Sequence, residues 1–173
     1  MHQIAQSFIQ SPATITRLNN ATQYTIGDVV AGDGVVTALV FGRCSSGNTS
    51  GEGGIIRGVT MSSSDDDTTQ LIADLFLFSV APNPVVADNV AFALTDAQML
   101  NCVAVIALDG TGANGHVGLL SGTGNMITVV GGLAIPFQCA KQDSNLYGVL
   151  VARNTYTPLE VEVIHIKLGI EQG

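Results

Sequence analysis

Apolar and polar positions alternate along this chain in short runs, and turn-forming residues separate the runs. Segments 13–18, 28–31, 37–41, 55–62, 71–79, 102–108, 126–130, 135–137, 146–152 and 160–168 are rich in β-branched and aromatic residues and are bounded by Gly, Asn, Asp and Ser. Such runs predict strands. Segment 71–78, LIADLFLF, hardly alternates, as expected of a central strand covered on both faces. Its one break, Asp74, needs a partner or an exposed edge there. A single short helix is predicted at 95–100, where Thr95 and Gln98 stand at capping-box spacing and Asp96 suits a helix N-terminus.

Segment 157–170, TPLEVEVIHIKLGI, carries an irregularity. Val161 and Val163 alternate with Glu160 and Glu162, and then Ile164, Ile166, Leu168 and Ile170 alternate with His165, Lys167 and Gly169. Side chains of a strand point to opposite faces with period two. The apolar face therefore changes sides at Val163–Ile164. A bulge that resets the pleat accounts for this, and so does coverage on both faces, in part by a neighbouring subunit. Val161, Val163, Ile164 and Ile166 are accordingly candidate subunit-contact residues.

Ten or so short strands without alternating helices give an all-β chain: an antiparallel β-sandwich, jelly-roll-like, with one short helix and long Gly-rich loops. The loops are expected at 42–54 and 110–124. Residues 13–173 read as one sandwich domain. Residues 1–12 read as an N-terminal arm, whose Ile4, Phe8 and Ile9 either anchor on a neighbouring subunit or fold back on their own core. Ile4 and Phe8 join the candidate contacts.

Composition then narrows the function. Charged residues make up 12% and apolar residues 46%, about half the usual share of charge. A surface short of charge fits broad contact with other protein; a Ser/Thr/Asn/Gly-coated monomer is the plainer alternative. Net charge is −8, and the six Lys and Arg are scattered, which disfavours phosphate-driven nucleic-acid binding. Sparse aromatics argue against base stacking. Cys44, Cys102 and Cys139 form no CxxC spacing and no even framework, which fits assembly in a reducing cytoplasm, with Cys102 read as a small core residue. The first ten residues lack a basic n-region, so no signal peptide is expected. No apolar run is long enough to predict a membrane span.

Candidate chemistry thins out on inspection. Gly110, Gly112 and Gly115 match GxGxxG, but the glycine-rich residues that follow do not open a helix, and the next carboxylate is Asp143. Asp65, Asp66 and Asp67 are consecutive, whereas calcium loops space their ligands at alternate positions. His2, His116 and His165 are far apart and lack a second ligand at metal spacing, and His165 reads as a structural residue. No catalytic residue, cofactor or metal site is expected.

Several pieces, taken in order, carry a resemblance. They are Tyr24-Thr-Ile-Gly27-Asp28-Val29-Val30, Gly54-Ile-Ile-Arg-Gly58-Val59 and Asp74-Leu-Phe-Leu-Phe78. After these come Ala87-Asp88-Asn89-Val90-Ala91-Phe92 with Thr95-Asp96-Ala97, then Leu146-Tyr147-Gly148-Val149-Leu150-Val151 with Leu168-Gly-Ile170. In this order, from about residue 14 to 171, the chain resembles a group of small tailed-bacteriophage virion proteins that act as head decoration, or cement, proteins. The resemblance implies a β-sandwich virion component without an active site, which stabilises a capsid by bridging subunits of the major capsid protein. It implies a place on the outer surface of the virion, after assembly in the bacterial host cytoplasm. Self-association as a cyclic homo-oligomer, a trimer, is expected, with no nucleic-acid or membrane partner. Two other readings stand beside it: a tail, baseplate or fibre component that binds host glycans, and a soluble β-sandwich binding module or minor enzyme.

Overall fold

The computed structural model describes residues 7–17, 21–32, 38–45, 52–64, 70–83, 87–109, 115–120 and 125–172. It is an all-β sandwich of two antiparallel sheets with one helical turn. The strands are β1 (Ser7–Thr16), β2 (Val29–Val30), β3 (Leu39–Phe41), β4 (Gly53–Ser63), β5 (Ala73–Phe78), β6 (Cys102–Leu108), β7 (Gly115–Leu120), β8 (Asn125–Val130), β9 (Ile135–Gln138), β10 (Leu146–Ala152) and β11 (Val163–Gln172); α1 (Asp96–Met99) lies between β5 and β6. The six-stranded sheet runs β1-β11-β4-β8-β7, with β9 also on β4. The five-stranded sheet runs β2-β10-β5-β6, with β3 also on β10.

The main core lies between the sheets. Ile164, Ile166, Leu168 and Ile170 of β11 meet Ala73, Leu75 and Leu77 of β5 and Leu146 and Leu150 of β10, all essentially without solvent exposure. A second, smaller core backs the five-stranded sheet. Phe78, Val149 and Val151 face outward from that sheet and are covered by Phe92 and Leu94, which precede α1. The ring centroids of Phe76 and Phe92 are 4.8 Å apart. This is why LIADLFLF lacks alternation: β5 is central and packed on both faces.

Thr95 makes the full capping box with Gln98 at α1. Its hydroxyl accepts from the Gln98 amide, and the Gln98 side chain accepts from the Thr95 amide at 2.8 Å, meeting two of the four unsatisfied donors of a helix N-terminus.

Three expectations change. The predicted strand 13–18 begins at Ser7 instead, and every residue from Ser7 to Thr16 pairs with β11. Residues 7–12 thus belong to the sandwich and not to an arm. Gln10, Ser11 and Pro12 weaken the local strand signal, and the pairing overrides it. The glycine-rich segment 110–124 contains β7 at its centre, paired with β8. The irregularity of 157–170 is not a bulge within one strand. β11 starts only at Val163, and Val161 before it takes a left-handed conformation, φ 64°. The chain turns there, and the Ile164 face begins fresh.

A bulge does occur on the neighbouring strand. Gly58 pairs with Gly169 and Ile56 with Ile170, so Arg57 is the extra residue of β4. Buried positions accordingly switch parity, from Ile56 to Val59, Met61 and Ser63.

Candidate functional site

The main concentration of polar chemistry among the described residues lies inside the fold. Positions 11, 13, 15 and 17 are the inward set of β1 and its extension, and Arg17 is fully buried there. Its amide donates to the Glu162 carbonyl at 2.9 Å, its guanidinium lies 3.4 Å from the Asp88 carboxylate, and its Cζ sits 4.7 Å from the centre of the Tyr24 ring. Asp88 also accepts from the Tyr24 hydroxyl at 2.6 Å and from the Ala31 amide at 2.9 Å. Tyr24 and Tyr156 stack at 6.3 Å. Glu162 is buried too, and Ser63 donates to its carboxylate. A buried charge requires partners of this kind.

The turn Tyr24–Asp28 belongs to the same assembly. Gly27 takes φ 96°, a value that favours glycine. The Asp28 carboxylate accepts from both the amide and hydroxyl of Thr25 at 2.6 and 2.8 Å. Asn89, at φ 57°, donates its amide to the Val29 carbonyl at 2.9 Å. Arg17, Asp88, Tyr24 and Asp28 therefore fasten the 87–92 loop to the start of β2. The sequence reading missed Arg17 and Glu162 as members of this network. The available signal was Arg17's place on the inward parity of β1.

The thiols are equally interior. Burial pushes Cys44 up to about 11, and burial likewise raises Cys139 and Cys102. Cys44 donates to the Phe41 carbonyl at 3.0 Å. Nucleophilic use of a thiol needs the opposite shift. Cys102 is half-buried against the smaller core.

Asp74 has the partner its position demanded. Arg153 lies 3.5 Å from Asp74 and 3.1 Å from Asp109. Burial raises the Asp74 carboxyl above its ordinary value, Arg153 lowers it, and Asp109 raises it again. His165 stands on the exposed face of β11, its Nδ1 3.0 Å from the Thr14 hydroxyl. A strand, not a helix, follows Gly115, so the GxGxxG match lacks the helix N-terminus that would cradle a pyrophosphate. Among the described residues no group of three His, Cys, Asp or Glu side chains converges as a metal site, and no helix is long and apolar enough to cross a membrane.

The structure separates the candidate contact residues. Ile164 and Ile166 are fully buried in this chain's own core, and are withdrawn as contacts because their faces are already covered. Val163 is half-buried at the first position of β11. Val161 is 55% exposed on its turn, and Phe8 is 62% exposed on β1. The Phe8 ring lies over Gly169, close enough that a Cβ on that glycine would meet it at 3.0 Å. Ile4, His2, Asp65, Asp66 and Asp67 lie outside the described residues. Other large apolar side chains also stand in solvent, Leu100 at 87% and Ile26 at 71%.

A groove of about 400 Å³ opens between β1 and the broken edge β2–β3, lined by Ile15, Thr16, Val30, Leu39 and Gly148 among others. Among the described residues it holds no charged side chain. At one end Ser11 donates to the Gly42 carbonyl at 2.6 Å and closes the two sheets together.

The buried polar network around Arg17 thus holds loops to strands, while Leu100, Ile26, Phe8 and Val161 stand apolar in solvent. No protein-family model matches the chain, and no curated protein matches it in sequence.

Proposed function

We propose that this chain is a structural protein of a bacteriophage head, which decorates the outer capsid surface and reinforces contacts between major capsid subunits. The observation that carries the reading is the surface: a chain with only 12% charged residues displays large apolar side chains such as Leu100, Ile26, Phe8 and Val161. Scattered apolar residues are ordinary on a monomer. Coupled to so little charge, they suit a surface that other protein covers. The ordered motifs that resemble head decoration proteins supply the kind of partner, and the negative net charge suits the outside of a particle better than contact with packaged DNA.

Quantitative mass spectrometry of purified particles tests the proposal. The expected result is a copy number comparable with that of the major capsid protein. Absence from particles, or the low copy number of a tail component, overturns it.

A further inference from the structure

Among the described residues, the outer edge of β1 pairs with no strand. Arg17 donates its amide to Glu162 and so extends the register in which Thr16 faces Val163 and Ile15 faces Ile164. In an antiparallel ladder, residues bonded to the partner strand alternate with residues whose N–H and C=O point away. Arg17 bonds toward β11, so Ile15 and Ala13 do as well. The N–H and C=O groups of Thr14 and Thr16 therefore point outward. β1 is the terminal strand of its sheet, and no described residue bonds to those backbone groups. Thr14 and Thr16 line one wall of the groove whose other wall is formed by β2 and β3.

Natural edge strands are guarded by charge, proline or bulges. Pro12 occupies an outward position and guards the edge there, having no N–H to offer. Residues 13–16 carry none of these guards. Their exposed side chains are Thr14 and Thr16, and behind them on β11 stand Val163 and His165. In a chain of net charge −8, this stretch presents no exposed carboxylate, because Glu162 is buried.

We propose that this edge pairs with the same edge of a second copy of the chain, β1 against β1, about a two-fold axis at Ile15. Thr14 and Thr16 each offer one donor and one acceptor, so this stretch of the edge is its own complement when run antiparallel, as an isologous contact requires. With Thr14 opposite Thr16 of the second copy, each pair exchanges both of its N–H···O bonds. Centring the axis on Thr14 instead places Pro12 opposite Thr16 and loses a donor. The pairing joins two six-stranded sheets into one sheet that crosses the two-fold. It goes beyond the virion reading, does not depend on it, and replaces the expected three-fold contact with a two-fold one.

Sedimentation equilibrium of the purified full chain, from low to high micromolar concentration, is the test. The wild type is expected to dimerise. Thr14→Pro and Thr16→Pro each delete an outward N–H and leave the β1–β11 ladder intact. Each is expected to weaken dimerisation about tenfold or more, the equivalent of the two hydrogen bonds that symmetry removes together, with thermal unfolding of the monomer unchanged. Thr16→Lys, which changes only an exposed side chain, serves if a proline variant does not fold. It is expected to weaken the dimer at low salt and to recover at high salt. A wild type that stays monomeric across the range overturns the proposal. So does an oligomer that none of the folded variants disturbs.

Discussion

Val161 is the most informative single residue. A β-branched side chain at φ 64° is a genuine outlier, and the left-handed region costs a residue with a Cβ about 1–2 kcal/mol. Its side chain is 55% exposed, so little packing inside this chain offsets that strain. Val161→Gly is expected to stabilise the isolated protein by up to about 1 kcal/mol in urea denaturation, since relief of strain exceeds the backbone entropy lost with glycine. Strain held at an exposed residue points toward function, and Val161 remains a candidate contact. Arg17 is the opposite case. Arg17→Met keeps the volume but leaves the Asp88 carboxylate without its cation, and is expected to cost about 3–5 kcal/mol. A urea midpoint close to wild type for Arg17→Met would show that Asp88 does not depend on it.

The strands were legible where composition and alternation agree. LIADLFLF announced a doubly covered strand, and β5 is one. Thr95 and Gln98 announced a cap, and the capping box is present. Legibility failed where pairing overrides local preference. Ser7–Pro12 looks like a loose arm and is a strand because β11 supplies the ladder. Segment 110–124 looks like a glycine loop, yet β8 pairs with its centre. The site was less legible than the fold, because Arg17, Asp88 and Glu162 come together only through long-range packing, and of the three only Arg17 carries a local signal, its place on the inward parity of β1. The close contact of β4 with β9 is also tertiary. A Cβ on Gly53 would sit 1.9 Å from the Phe137 carbonyl oxygen, whereas one on Gly131 would meet nothing within 4 Å. Gly53→Ala is therefore expected to destabilise by about 2–3 kcal/mol or more, and Gly131→Ala to be neutral within about 1 kcal/mol. Equal chemical-denaturation midpoints for the two variants would remove the close-approach argument.

At the scale of the whole molecule, β5 and β10 lie between two cores. Leu75, Leu77 and Leu150 serve the main one, and Phe78, Val149 and Val151 the smaller one. Loss of either core uncovers the same two strands, so the sandwich is expected to unfold as one cooperative unit. Far-ultraviolet circular dichroism and tyrosine fluorescence, which reports Tyr147 beside the smaller core as well as Tyr24 and Tyr156, should give coincident transitions. Two separated transitions would mean that the smaller core melts alone. The pairing of β1 with β11 has a further consequence in time. Ser7 lies opposite Gln172, so the first strand of the sandwich waits for the last, and nearly the whole chain must be synthesised before that ladder can close. Sheet closure of this kind imposes a large loop-entropy barrier and slow folding. Until β11 emerges from the ribosome, β1 and the flank of β4 that β11 will cover remain unpaired, and the nascent chain presents along both strands the kind of edge that Thr14 and Thr16 keep in the folded sheet.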